Sequence, residues 1–279
     1  MHKIKEEIKI EEIELKVLNL EGMIEFYEQI LGFKVIKESD EYAILGSNKN
    51  PFLKLLRDEK SIKEEFNSVG LYHVAYLLPT RKDLAIMLKH LLEKEATIEG
   101  FADHLVSEAI YLHDIEGNGI EIYCDKPRNE WIRIGNKIAM STEPLDIEGL
   151  LKLANEEFKG MSDETRIGHI HLKVSSLSRT ENFYIKALGL DLTFRYYGAI
   201  FLSSGGYHHH VGANVWQSLG APPRKENMRG LSYFTIKLPS KEDFEGIMKN
   251  LGELGIAYAI EGEKIKIKDP DNIDIILKT

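Results

Sequence analysis

Cysteine is nearly absent: Cys124 is the one thiol in 279 residues. An intrachain disulfide is thereby excluded, and so is a thiolate zinc site within one chain. Long hydrophobic runs are missing too. No stretch approaches the ~18 apolar residues of a membrane span, and the N-terminal MHKIKEEIKIEE has no apolar core of a secretion signal. Positive charge is not in excess either. The formal net charge is −9, and the basic residues are interleaved with acids, as in IKEEIKIEEIELK, rather than gathered into a patch. Such a surface attracts neither nucleic acid nor an anionic membrane. A cytoplasmic location is the expectation.

What the chain does contain is the composition of an ordinary globular protein, 43% apolar and 29% charged. Its length exceeds one average domain and allows a large buried core, so two domains are the natural expectation.

Within that length the sequence repeats itself. LKVLNLEGMIEFYEQILGF (15–33) recurs as LKVSSLSRTENFYIKALGL (172–190), with Phe26-Tyr27 on Phe183-Tyr184 and Gly32 on Gly189, an offset of 157. GLYHVAYLLPTRKDL (70–84) recurs as GLSYFTIKLPSKEDF (230–244), an offset of 160. The repeat defines an N-terminal half at 1–140, with modules 8–57 and 70–124, and a C-terminal half at 166–279, with modules 166–217 and 229–278. Each module reads as strand, helix and three short strands. The first helix is expected over 20–31, closed by Leu31-Gly32; the second over 81–94, with Asp83 in its first turn. The polar stretch between the halves begins DKPRNEW. Its 141–165 portion reads as a helical connector, one helix running from an Asp146 N-cap to Phe158.

The most informative residues for chemistry are His104, Tyr111 and Glu121, in the order His-LVSEAI-Tyr-LHDIEGNGI-Glu. A strand carboxylate can hold a divalent ion while Tyr and His move protons beside it. A second cluster lies in GGYHHHVGANVW (205–216), read as the last strand of the third module. Strict alternation puts Val211, Ala213 and Val215 on one face and His208, His210, Gly212, Asn214 and Trp216 on the polar face, with His209 turned away. Taken singly, each of these residues also has a structural reading, as a core, loop or solvated side chain.

Four βαβββ modules resemble the vicinal oxygen chelate superfamily, which includes glyoxalase I, extradiol dioxygenases and fosfomycin-resistance proteins. The resemblance covers nearly the whole chain. It implies an α+β fold in which modules pair into two half-open β-barrels, with metal ligands on their first and last strands. At the family's first-strand position the modules carry Glu12, His73, His169 and Tyr233; on last strands Glu121 fits and Asp274 is shifted. Only the second and third modules keep strong ligands, His73, His169 and Glu121, so the resemblance implies one metal site. It also implies that module two pairs with module three, and module one with module four.

The motif narrows the resemblance to bacterial catechol 2,3-dioxygenase-like proteins. These have a His five to seven residues before an aliphatic-Tyr pair, then an acidic-Pro-x-Gly turn, then Glu. Here the set is His104, Ile110-Tyr111, Asp114-Ile115-Glu116-Gly117 and Glu121; it departs from the pattern at Ile115 and at Ala102. The family places a catalytic histidine on the last strand of the module that donates the first His ligand, which points to His208 or His210, the latter favoured. The implied activity is ring cleavage of a catechol by O2 at Fe(II), or Mn(II), in aromatic catabolism. Tyr111 and His104 would hold the substrate oxygen, and Trp216, Tyr76 and Pro222-Pro223 are candidates for the aromatic wall. Exposed sheet edges are compatible with a homodimer. Two other readings stand beside this one: a glyoxalase-type isomerase or lyase with four protein ligands, and a binding protein of the same fold without metal.

Overall fold

The computed structural model describes residues 1–135 and 137–279. The first module runs β1 (Lys9–Val17), α1 (Leu20–Gln29), β2 (Lys34–Glu38), β3 (Tyr42–Gly46) and β4 (Pro51–Arg57). The second runs β5 (Gly70–Leu78), α2 (Arg81–Glu93), β6 (Ile98–Asp103), β7 (Ser107–His113) and β8 (Gly119–Asp125). A small hairpin, β9 (Arg133–Ile134) and β10 (Lys137–Ile138), and the short helix α3 (Ile147–Leu151) follow. The third module runs β11 (Arg166–Lys173), α4 (Leu177–Asn182) with a π-helical continuation over Phe183–Ala187, β12 (Asp191–Tyr196), β13 (Ala199–Ser203) and β14 (Val211–Asn214). The fourth runs β15 (Gly230–Lys237), α5 (Lys241–Glu253), β16 (Tyr258–Glu261), β17 (Lys264–Lys268) and β18 (Asp274–Lys278).

Local chemistry explains where the helices begin. The side chains of Asn19, Thr80, Asp146 and Ser240 each accept from a backbone N–H in the first turn of α1, α2, α3 and α5. Leu20, Met23, Ile24 and Tyr27 repeat at helical spacing and are all buried. The first helix stops ahead of Gly32, whose φ of +70° suits glycine, and where a Cβ would strike the Phe158 ring. The helix expected from Asp146 to Phe158 is shorter: it keeps its cap but ends at Leu151. The following Leu153, Asn155 and Glu156 are exposed, so only one turn has an apolar face to bury.

The modules pair as expected from their ligands. One eight-stranded sheet has the order β16-β17-β18-β15-β1-β4-β3-β2, and the other β12-β13-β14-β11-β5-β8-β7-β6. Modules one and four share the first sheet; two and three share the second. The joining contacts are antiparallel, β1 on β15 and β5 on β11, with two register shifts each. These two curled sheets are the half-barrels of the vicinal oxygen chelate fold.

Alternation along β5 and β11 divides core from cup. Val74, Tyr76 and Leu78, with Ile170 and Leu172, enter the large apolar core. His73, Ala75 and Leu77, with His169 and His171, are left on the opposite, concave face. No helix among the described residues is long and apolar enough to cross a membrane.

Candidate active site

The cup of the second sheet is a cavity of about 1010 Å³. Two register rows place its polar floor. His73 on β5 faces His171 on β11, while Ala75 stands between His169 on β11 and Glu121 on β8. A small residue at 75 lets the two flanking side chains lean toward each other. Gly168 matters for the same reason: a Cβ there would meet the Tyr123 hydroxyl at 1.8 Å.

Three donor atoms converge on the floor. Glu121 Oε2 lies 3.0 Å from His73 Nε2 and 3.2 Å from His169 Nε2. The two Nε2 atoms are 3.4 Å apart. An ion with bonds near ~2.1 Å at right angles needs donors about 3.0 Å apart, so the triangle fits one face of an octahedron. All three residues are buried. Burial alone would raise the Glu121 carboxyl, but the imidazoles of His169 and His73 hold it well below the usual carboxylate range. Burial pushes His169 down to about 4, against the opposing pull of Glu121. Neutral imidazoles and an ionised carboxylate are the forms that ligate a metal. Among the described residues this is the only group of three or more His, Cys, Asp or Glu donors that converges in this way.

Beside the triangle stands a second pair. Tyr111 on β7 faces Glu121 across the strands. Its hydroxyl is 2.6 Å from His104 Nε2, and His104 Nδ1 is 2.7 Å from the carbonyl of Ser141. A carbonyl only accepts, so Nδ1 carries the proton and Nε2 accepts from Tyr111. Burial and the neighbouring Glu121 raise the Tyr111 phenol well above its ordinary value, which keeps it a neutral donor. His104 sits just before Leu105, a non-glycine residue at φ +68°, and Asp103 bridges to Glu143 in the connector. That bridge brings Ser141 over the cup.

The third-module histidines differ from expectation. His209, expected to turn away, lines the cavity, its ring centroid 4.1 Å from that of His169. His208 and His210, expected to face inward, lie outside the lining and are fully buried. His208 Nε2 is 2.9 Å from Asp125 Oδ1 and its Nδ1 is 2.8 Å from His209 Nδ1; His210 Nδ1 is 2.9 Å from Ser203 Oγ. The reason is local. Gly205 and Gly206 adopt φ of +63° and +73°, and β14 begins only at Val211, so period-two alternation does not reach the histidines. From Val211 onward it holds. Val211 and Ala213 enter the core, Gly212 lies against the His171 ring, Asn214 donates to His171 at 3.1 Å, and Trp216 lines the cup. Tyr76 packs in the core against Phe33 and Phe52 instead, and Pro222-Pro223 are not part of the wall.

The other half-barrel lacks this chemistry. Its corresponding residues satisfy one another, with the Tyr233 hydroxyl donating to Glu12 Oε1 at 2.7 Å and Lys54 paired to Glu14 at 2.6 Å. Sequence reasoning missed the inward turn of His209 and the contribution of Ser141. The Gly-Gly pair before the histidines was a readable signal for the first; no signal marked the second.

Residues 9–122 and 166–276 match the model of the Glyoxalase/Bleomycin resistance protein/Dioxygenase superfamily, and the chain belongs to that superfamily. It is 41% identical over 277 residues to a protein of Bacillus subtilis (strain 168) named catechol-2,3-dioxygenase, covering 97% of this chain and 96% of that one. Among solved structures it resembles glyoxalase I from Zea mays (TM-score 0.59, 16% identity, 97% and 92% of the two chains covered). It also resembles the cppA protein from Streptococcus pneumoniae TIGR4 (TM-score 0.58, 15% identity, 97% and 98% covered). At such identities these two likenesses concern the fold alone.

Proposed function

We propose that the chain is an extradiol dioxygenase that holds Fe(II) through His73, His169 and Glu121 and cleaves a catechol-type ring with O2. The observation that carries this reading is the shared floor: three convergent donors, the Tyr111–His104 pair and His209 all face one cavity. The relationship to a protein named catechol-2,3-dioxygenase supports it. A glyoxalase-type isomerase would call for a fourth protein donor, and among the described residues the convergent group stops at three.

A ferrous ion bound there supplies open positions for the vicinal oxygens of a catechol and for dioxygen, and a path for electrons between them. The chain's own residues do the rest. The Tyr111 hydroxyl, positioned by His104, turns its one proton from His104 Nε2 to a substrate oxygen when substrate binds and holds that oxygen anionic. His209 is kept neutral by burial, with the neighbouring His169 acting in the same direction, and so is available as a base. It takes a substrate proton and returns it as the ring opens. Such positioned proton transfer typically contributes ~10²–10⁴-fold. The bond that breaks lies beside the two hydroxylated carbons, and both atoms of O2 enter the hydroxymuconic semialdehyde product. The His208 and His210 expected in this role are replaced by His209.

The test is anaerobic loading with iron, then catechol and air. A yellow ring-fission product is expected, and it should be lost in Glu121→Gln and His169→Ala. Full activity in both variants would refute the assignment.

A further inference from the structure

The cavity is larger than a single catechol ring requires, and its wall has a definite character. At about 1010 Å³ it stands at the top of the ~300–1,000 Å³ range of small-molecule sites. From the donor triangle an aromatic run leads outward. His209 lies against His169, Phe201 follows with its centroid 4.8 Å from that of His209, Phe194 is 5.9 Å from Phe201, and Tyr196 is 6.5 Å from Phe194. A second arm passes from His171 to Tyr72 at 5.1 Å and from Tyr72 to Trp216 at 5.4 Å. Tyr196 and Trp216 are half-exposed at the mouth.

Charge on the same wall is unfavourable to an anion. Lys173 Nζ is held 2.8 Å from Glu64, while Arg229 Nε lies 3.7 Å from Glu116 and makes no hydrogen bond. Lys63 is exposed at the rim in a Lys-Glu-Glu run. Glu65 and Glu99 add further negative charge, so acids outnumber Lys and Arg around the cavity. A carboxylated substrate would have to displace the Lys173–Glu64 pair, or reach Arg229 alongside Glu116, and would meet these acids.

We infer that the site selects an uncharged catechol bearing a ring-sized apolar substituent, which lies along the Phe201–Phe194–Tyr196 and Tyr72–Trp216 walls. The inference rests on the ring-cleavage reading and narrows its substrate. Extra apolar contact in a preformed wall discriminates by about 10–200-fold for even small groups.

The iron-loaded chain is compared on 3-phenylcatechol, 4-phenylcatechol, catechol and 3,4-dihydroxyphenylacetate. The better phenylcatechol should exceed both catechol and 3,4-dihydroxyphenylacetate in kcat/KM by at least about tenfold. Phe194→Ala and Trp216→Ala should shrink that margin, lowering kcat/KM for the better phenylcatechol by more than for catechol. Dissociation constants measured without oxygen, from quenching of tryptophan fluorescence, should rank the ligands in the same order. A carboxylated or unsubstituted catechol bound and cleaved best would overturn the inference while the dioxygenase reading stood. Retained binding order with no ring-fission product from any catechol would sink the dioxygenase reading instead.

Discussion

The imidazole of His209 lies over that of His169, ring centroids 4.1 Å apart at an interplanar angle of 48°. The middle histidine of the His208–His210 run is thus the one that touches the donor triangle. Its neighbours are engaged elsewhere, His208 with Asp125 and His210 with Ser203. His209→Gln should therefore lower turnover about 10²–10⁴-fold with metal content retained, whereas His210→Gln should change it by less than about tenfold. Steady-state rates beside metal analysis of both variants check this; the reverse order would return the role to His210.

Tyr111 and His104 form one unit through their 2.6 Å hydrogen bond. Tyr111→Phe should keep its iron and lose about tenfold or more in kcat, and His104→Ala should behave alike. Removing both should cost little more than the worse single change, because each acts through the other. A fully additive double variant, or iron lost from Tyr111→Phe, would contradict this.

Metal binding should stabilise the folded chain. Anaerobic Fe(II) at a hundredfold excess over its dissociation constant should add about 2.7 kcal/mol to unfolding, an effect absent from Glu121→Gln. Thermal or urea unfolding with and without iron measures it directly.

Acid should act on the metal-free chain through the same residues. Because His169 falls from an ordinary 6.5 to about 4 in the fold, the unfolded chain binds its proton first as pH drops. Stability is then fully present above about pH 6.5 and declines toward pH 4. Glu121, held below the usual carboxylate range, adds a loss of the same sign at lower pH. Urea midpoints at several pH values should show a shallower slope in His169→Gln.

Asp269 should act in the opposite direction. It is buried, its Oδ2 has no hydrogen-bond partner, and burial raises its carboxyl from 3.8 to about 7. The stability it contributes is present below its unfolded value and is lost as pH rises through about 7. Asp269→Asn should therefore stabilise the chain by about 1–3 kcal/mol at pH 8 and far less at pH 5. Equal effects at both values would count against a protonated Asp269.

Much of the arrangement was legible in the sequence for definite reasons. Duplicated spacings exposed four modules because each must build the same strand–helix–strands unit. The pairing of modules two and three followed from His73, His169 and Glu121, since donors on different first and last strands reach one ion only if their sheets merge. The cap at Asp146 and the stop before Gly32 were local matters of side-chain capping and of glycine's conformational freedom. Where the reading failed, at Tyr76 and at His208 and His210, it relied on period or position without knowing the backbone's course.

Sequence alone determined the repeated α+β architecture, the membership in its superfamily and the identity of the three convergent donors, because these depend on periodicity and on which residue types recur at which spacing. Tertiary structure decided which histidine enters the cup, that Ser141 sets the tautomer of His104, and how aromatic and ion-paired side chains line the cavity. Those outcomes depend on left-handed turns at Gly205 and Gly206 and on contacts between segments far apart in the chain, which no local pattern encodes.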